Sequence, residues 1–323
     1  AHYALNLELF LENAHHSFME VNPVLIKEYK KSTTLRRTKT DSVDCESIAR
    51  WLMTVEYKPH SKGFYHAYSL KSLTRLRDRL IRQRSFYLVK ITNVLDHTFP
   101  EFKPFFNERL SKTALYLLEN YGSAEKMARM NSASYDKLRC ISRGKFSIQQ
   151  FLRLKELAAN TVGVNNSIFD LELNTLLTLY KSLSDEINTL ETEIIKLIEE
   201  VHPHYMSIPG IGPISAAVIY AEYGDISNFS NPGQMLAFAG IEPGINDSGT
   251  ESHGGRMVKH GSSQLRYVLL NSCLPLIRFD LTFATYYAKK RAEGKKHRVA
   301  ITHVAKKLIR VIYALERQDV DFN

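Results

Sequence analysis

The stretch LELNTLLTLYKSLSDEINTLETEIIKLIEEV, residues 171–201, carries the most regular pattern in the chain. Leu173, Leu176, Tyr180, Leu183, Ile187, Leu190, Ile194, Leu197 and Val201 recur at alternating intervals of three and four. Side chains so spaced lie on one stripe of a helix, and a sustained heptad stripe winds two helices together. The stripe is about 42 Å long at 1.5 Å per residue. A coiled coil and a long helix inside a bundle satisfy the pattern equally. The partner within the chain is SLKSLTRLRDRLIRQRSFYLVKITNVL, residues 69–95. Its seam is Leu73, Leu76, Leu80, Tyr87, Ile91 and Val94, with Arg75, Arg77, Arg79, Arg82 and Arg84 over the rest. The two helices are expected to fold back as an antiparallel hairpin. Pairing between subunits, giving a dimer or tetramer, is the alternative.

Towards the N-terminus the pattern changes. HYALNLELFLENA reads as an amphipathic helix and SFMEVN (17–22) as a short buried strand. Pro23 opens a further helix, PVLIKEYKK. This helix–strand–helix order is that of the back half of an α/β domain. Next comes LRRTKTDSVDCESIARWL, residues 35–52, where Arg36, Arg37 and Lys39 precede Asp41 and Asp44. Two readings stand. Asp41 can cap the helix and Asp44 can suit its dipole. Alternatively, carboxylates at i and i+3 share one helix face and can reach one hard cation. Residues 57–68, YKPHSKGFYHAY, read as a linker, and turns are expected near 122 and 143.

The 323 residues carry a net charge of +9, unevenly distributed. Residues 27–84 hold fifteen Lys/Arg against six Asp/Glu, and residues 253–310 hold thirteen against two. The stretch between, 85–252, holds fourteen against twenty. Two basic blocks around an acidic spacer point to polyanion-binding surfaces. No apolar run approaches the roughly 20 residues of a membrane span, and no signal peptide is visible, so no membrane partner is expected. Cys45, Cys140 and Cys273 form no CxxC and suit a reducing cytoplasm. The chain begins with Ala, which points to a missing N-terminal piece.

Behind the heptads, SIPGIGPISAAVIYAEYGDISNF (207–229) holds Gly210 and Gly212. A dinucleotide loop is excluded, because a helix and not a strand precedes it. A helix-hairpin-helix element fits, its GxG turn offering backbone N–H groups to a DNA phosphate. A plain tight turn between helices remains open. In MLAFAGIEPGINDSGTESHGGRMVKHGSSQLRYVLLNSC (235–273), Ser248 lies in a Gly-flanked turn ahead of Arg256, Lys259 and Arg266. Its hydroxyl could attack a phosphodiester while the cations stabilise developing charge. Ser252, Ser262 and Ser263 compete for that role. The final block, EGKKHRVAITHVAKKLIRVIYAL (293–315), is a basic loop entering an amphipathic helix, either a solvated face or a phosphate track.

Four of these stretches, in order, resemble the DEDD-type insertion-sequence transposases, the bridge-RNA-guided serine recombinases related to the Piv invertases. They are LRRTKTDSVDCESIA, IPGIGPISAAVIYAEYGDISNF, LAFAGIEPGINDSGTESHGGRMVKHGSSQLR and GKKHRVAITHVAKKLIRVIYAL. The resemblance implies a mixed α/β front and a mainly helical rear. Residues 1–58 would be the C-terminal part of a RuvC-like (RNase H-like) domain, 59–204 a helical coiled-coil region, and 205–323 the transposase domain. Asp41 and Asp44 resemble the last two acids of a set binding Mg2+ or Mn2+, and Ser248 the nucleophile. Gly210 and Gly212 match the hairpin, and Arg256, Lys259 and Arg266 the basic residues after the serine. The family's first Asp and its Glu would precede residue 1, so the resemblance implies an N-terminally truncated, inactive chain. Cys45 stands where the family usually has a small Ala. DNA, a structured guide RNA and a second copy are the implied partners, in the bacterial cytoplasm at the nucleoid. The rival readings are a metal-dependent junction-resolving nuclease and a catalytically dead nucleic-acid-binding remnant.

Overall fold

The computed structural model describes residues 4–19, 21, 23–33, 40–57, 64–107, 110–248, 251–257 and 259–323. The described backbone is mainly helical and divides into two compact units, residues 1–64 and 65–323.

The first unit holds α1 (Ala4–Asn13), α2 (Pro23–Thr33) and α3 (Asp41–Leu52). Pro23 begins α2 as expected, since its missing N–H is unneeded there. Lys30 of α2 donates to Asp44 of α3 at 2.5 Å, tying the helices together. The strand expected at 17–22 does not form. Ser17, Phe18, Met19 and Val21 have no regular structure, and Glu20 and Asn22 lie outside the described residues. No second described strand in this unit offers a ladder, and a lone extended segment cannot hold itself in water. Among the described residues here only Glu8 is buried, while Leu7, Phe10, Val24, Leu25, Leu52 and Met53 are exposed.

The second unit is built on two 35-residue helices, α4 (Phe64–Thr98) and, later in the chain, α10 (Ser167–Val201). α4 starts within the stretch read as a linker, of which residues 58–63 lie outside the described residues. Between the long helices come α5 (Phe102–Phe105), α6 (Lys112–Tyr121), α7 (Ala124–Ala128), α8 (Ser132–Ile141) and α9 (Ile148–Ala159). Ser111, Ser123, Asn131, Ser147 and Asn166 each accept a first-turn N–H, capping α6 to α10 in succession.

The expected antiparallel pairing of α4 and α10 is present. Leu70 shares a core with Ile194 and Ile198, whereas Ile91 and Val94 share another with Leu173 and Leu177. Midway, Arg77 Nε donates to Glu191 Oε1 at 2.7 Å. At the far end the His97 ring stacks on Phe169, centroids 5.9 Å apart. Every heptad residue of α10 is buried or half-buried, but Leu177 and Ile198 are buried as well. The stripe widens at both ends because each end is embedded in a multi-helix core. The middle has the narrow seam of a two-helix coil.

Beyond α10 a short 3-10 turn (His204–Ser207) leads to α11 (Pro213–Tyr223) and α12 (Pro232–Ala239). An antiparallel hairpin follows, β1 (Pro243–Ser248) with β2 (Glu251–Met257), then α13 (Ser263–Phe279), α14 (Leu281–Ala292) and α15 (His297–Gln318). α15 supplies the spine of this core with Ala300, Val304, Ala305, Leu308, Ile309 and Ile312, all buried. Among the described residues no single helix is long and apolar enough to cross a membrane.

Candidate functional site

The turn at Gly210 is set by its sequence. The Ile208 carbonyl accepts from Ile211 N at 3.0 Å, with Pro209 and Gly210 between them. Gly210 has φ +98°, the conformation a Pro-Gly turn of this type requires. A Cβ there would also lie 2.7 Å from Pro275 Cγ and 3.0 Å from the Ser272 carbonyl of α13. Both the backbone and the packing therefore demand glycine. Gly212 differs: it is exposed, has open space at its Cβ position, and caps α11 without a side-chain bond, ahead of Pro213. The first-turn N–H groups of α11 thus lack a capping side chain and can donate to an anion's oxygen.

The hairpin that carries Ser248 is anchored at its root. α12 ends at Gly240 in the left-handed region, φ 65°, and buried Ile241 leads to Glu242 and β1. On the return, Gly261 packs so close that a Cβ would lie 2.0 Å from the Phe238 carbonyl. Arg266 of α13 then donates from Nη1 to the Ala239 carbonyl at 3.2 Å. Ser248 is the last paired residue of β1, opposite Glu251, and Ser252 pairs with Asp247. Gly249 and Thr250, the rest of the expected turn, lie outside the described residues. A register shift between Pro243 and Ile245 gives the hairpin a bulge near its root. Arg256 lies on β2 and Lys259 is exposed just beyond it.

The competing serine Ser262 has a structural task, since its Oγ accepts from Leu265 N at 3.2 Å and caps α13. Ser263 is the first residue of that helix. Cys273 offers no alternative nucleophile, because burial pushes its thiol up to about 12. Gly210 and Arg266 both touch or belong to α13, but towards opposite ends of it.

Asp41 and Asp44 occupy the first turn of α3 in the other unit. The helix is not capped by Asp41. Thr40 is the N-cap, its Oγ1 accepting from Val43 N at 3.3 Å, which leaves Asp41 exposed and one position too late to cap. Arg36, Arg37 and Lys39 lie outside the described residues. No group of three or more His, Cys, Asp or Glu side chains gathers to hold a metal among the described residues. Two carboxylates, one already held by Lys30, do not complete the roughly six oxygens a hard cation takes.

Sequence reasoning missed the partners of the basic helix. Arg75 donates from Nε and Nη2 to Glu222 at 2.9 and 3.1 Å, and Lys71 stands 3.9 Å from the same carboxylate. The Glu222 side chain is only 2% exposed. The one available signal was an acid inside the apolar run of α11.

Residues 203–288 match the family described as "Transposase IS116/IS110/IS902 family", and residues 1–100 match the DEDD IS110 model, described as "Transposase". The chain is 29% identical over 237 residues to the insertion element IS110 uncharacterized 43.6 kDa protein of Streptomyces coelicolor, covering 71% of this chain and 58% of that one. It is 28% identical over 298 residues to the insertion element IS900 uncharacterized 42 kDa protein of Mycobacterium paratuberculosis, covering 86% and 71%. With the transposase for insertion sequence element IS1111A of Coxiella burnetii it is 25% identical over 260 residues, covering 80% and 59%. The chain therefore spans less than two thirds of the first and third of these relatives. Its N-terminal and C-terminal stretches are thus each similar, in that order, to models of insertion-element transposases.

Proposed function

We propose that the chain is part of a DNA transposase that cuts and rejoins DNA through Ser248. The observation that carries this reading is the hairpin within the family-matched stretch 203–288. It presents a serine at its last paired residue and is tied at its root by Arg266. In the proposed reaction the Ser248 hydroxyl attacks a scissile phosphate. A phosphoserine bond forms, the bond to a DNA 3′ oxygen breaks, and the serine proton passes to that leaving oxygen. The 3′ hydroxyl of another strand then attacks the phosphoserine and restores the serine. Arg256, Lys259 and Arg266, towards and beyond the root end of the hairpin, hold phosphates of the bound strand. The α11 N-terminus holds a neighbouring phosphate through Gly212 without reading sequence. A structured RNA supplies target choice by base pairing.

A divalent cation belongs to this reading through Asp41 and Asp44, but these two carboxylates alone do not fit one, and no step here passes through it.

The test is covalent capture on nicked or suicide DNA substrates with the protein that carries the whole activity. Ser248→Ala is expected to abolish the adduct while sparing nucleic-acid binding, since it removes one oxygen and no charge. Ser252→Ala is expected to be mild. An adduct that persists in Ser248→Ala overturns the assignment. Because Thr40 is the cap, Asp41→Asn is expected to melt within a few degrees of the parent. Where acids beyond these two complete a cation site, it should still lose cleavage by about a hundredfold or more, the scale of removing a catalytic group. Full cleavage in Asp41→Asn removes that residue from the chemistry.

A further inference from the structure

Lys306 lies midway along α15 and is half-buried, yet among the described residues its ammonium has no hydrogen-bond or ion-pair partner. Burial holds it below the usual lysine range; Glu242 draws it back up and Arg310 pushes it further down. Glu242 is the residue before β1, and α15, which carries Lys306, packs against α12, the helix that leads into the Ser248 hairpin. Arg310, one turn on and on the same face, is exposed and likewise unpaired among the described residues. His303, on the turn before, is held below its usual value by burial first, then by Lys306, Lys290 and Lys295.

Three neighbouring cations are committed. Lys307 sits over the rings of Phe283 and Tyr286, at 4.9 and 5.2 Å. Lys290 binds Glu293 at 2.9 Å, and Arg291 donates to the Lys295 carbonyl at 2.7 Å. A half-buried cation without a bonded partner is costly, and it persists where an anion completes it. Glu242 acts on Lys306 and Arg310 adds a second positive charge beside it, so the group keeps an excess of one positive charge.

We propose that Lys306 and Arg310 form a phosphate-binding site at the root of the β1–β2 hairpin, taking a backbone phosphate of the strand delivered to Ser248. The site is distinct from Arg256, Lys259 and Arg266 and rests on the reading of the chain as a nucleic-acid recombinase. It places a phosphate beside the hairpin's anchored end and holds the strand in register with the serine.

The test is a salt titration of binding to a duplex DNA and, separately, to a hairpin RNA of equal length. Each phosphate contact contributes about −0.9 to the slope of log affinity against log salt, or roughly eightfold at 0.1 M salt. Lys306→Met with Arg310→Met is expected to shallow the slope on DNA by about 0.9, one phosphate contact, and a change confined to RNA overturns the proposal. Lys126→Met, an exposed lysine on α7, should leave both slopes unchanged. Lys306→Met alone should melt at or above the parent temperature, because it removes an uncompensated charge. Unchanged slopes on both nucleic acids, or a lower melting temperature with unchanged binding, overturn the proposal. A parent protein that binds neither nucleic acid overturns the functional reading itself, which is a different failure.

Discussion

Along α4, Arg75 and Lys71 converge on Glu222, Arg77 reaches Glu191, and Arg82 pairs with Asp78 at 2.8 Å. On α15, Lys306 and Arg310 make no ion pair among the described residues. Both helices come from strongly basic stretches of the sequence, but the charge does different work in each. In α4 much of it fastens the long helices to the C-terminal core. In α15 part of it, at Lys306 and Arg310, is left over. Net charge alone therefore overstates the first block as a binding surface and understates the second.

The comparison is broken most easily at Arg75. Arg75→Met leaves the buried Glu222 carboxylate with only Lys71 nearby, at a cost of about 3 kcal/mol. For a unit of this size that lowers the melting temperature by roughly 6–12 °C. Arg82→Met removes an exposed i,i+4 pair worth about 0–1 kcal/mol and should move it by at most a few degrees. Equal shifts in the two variants, read by thermal denaturation, would contradict the division between committed and surface charge.

A smaller effect sharpens the same contrast at the other end of the core. His204 is bracketed by Asp321 at Nδ1 (3.0 Å) and Asp319 at Nε2 (2.9 Å), and these carboxylates raise its pKa, with Glu316 adding to the pull. The folded-state value lies above the unfolded one, so the clasp contributes fully below the unfolded value near 6.5. It is lost as pH rises through the raised folded value. Phe322 N donates to Ser207 Oγ at 2.8 Å, so its amide exchange reports the clasp. Exchange at Phe322 should quicken as pH rises through this window, beyond the intrinsic rate, and lose that added step in His204→Gln. The same step in both proteins would remove His204 from the clasp.

Much of unit 65–323 was legible because its patterns are local. The heptads of α10 and the amphipathic run of α15 state their structure within a few residues, as Pro23 does in the first unit. What failed was non-local. The strand at 17–22 needed partner strands that no local pattern can supply. Glu222 lies 147 residues from Arg75, so no window of sequence shows that pair. The widening of the α10 stripe at Leu177 and Ile198 likewise follows from cores assembled by other helices. In the candidate site, Gly210 and Arg266 were readable as types, but their tasks were not. Gly210 is fixed by Pro275 and Ser272, and Arg266 by the Ala239 carbonyl. Asp41 was one position off as a cap because Thr40 precedes it with the better geometry.

The central claim is that positive charge left unpaired in the folded chain serves nucleic-acid phosphates. The most direct measurement is the affinity of the unaltered protein for nucleic acid across a range of salt concentrations. With about six phosphates neutralised, log affinity should fall against log salt with a slope of about −5. A slope near zero would contradict the account.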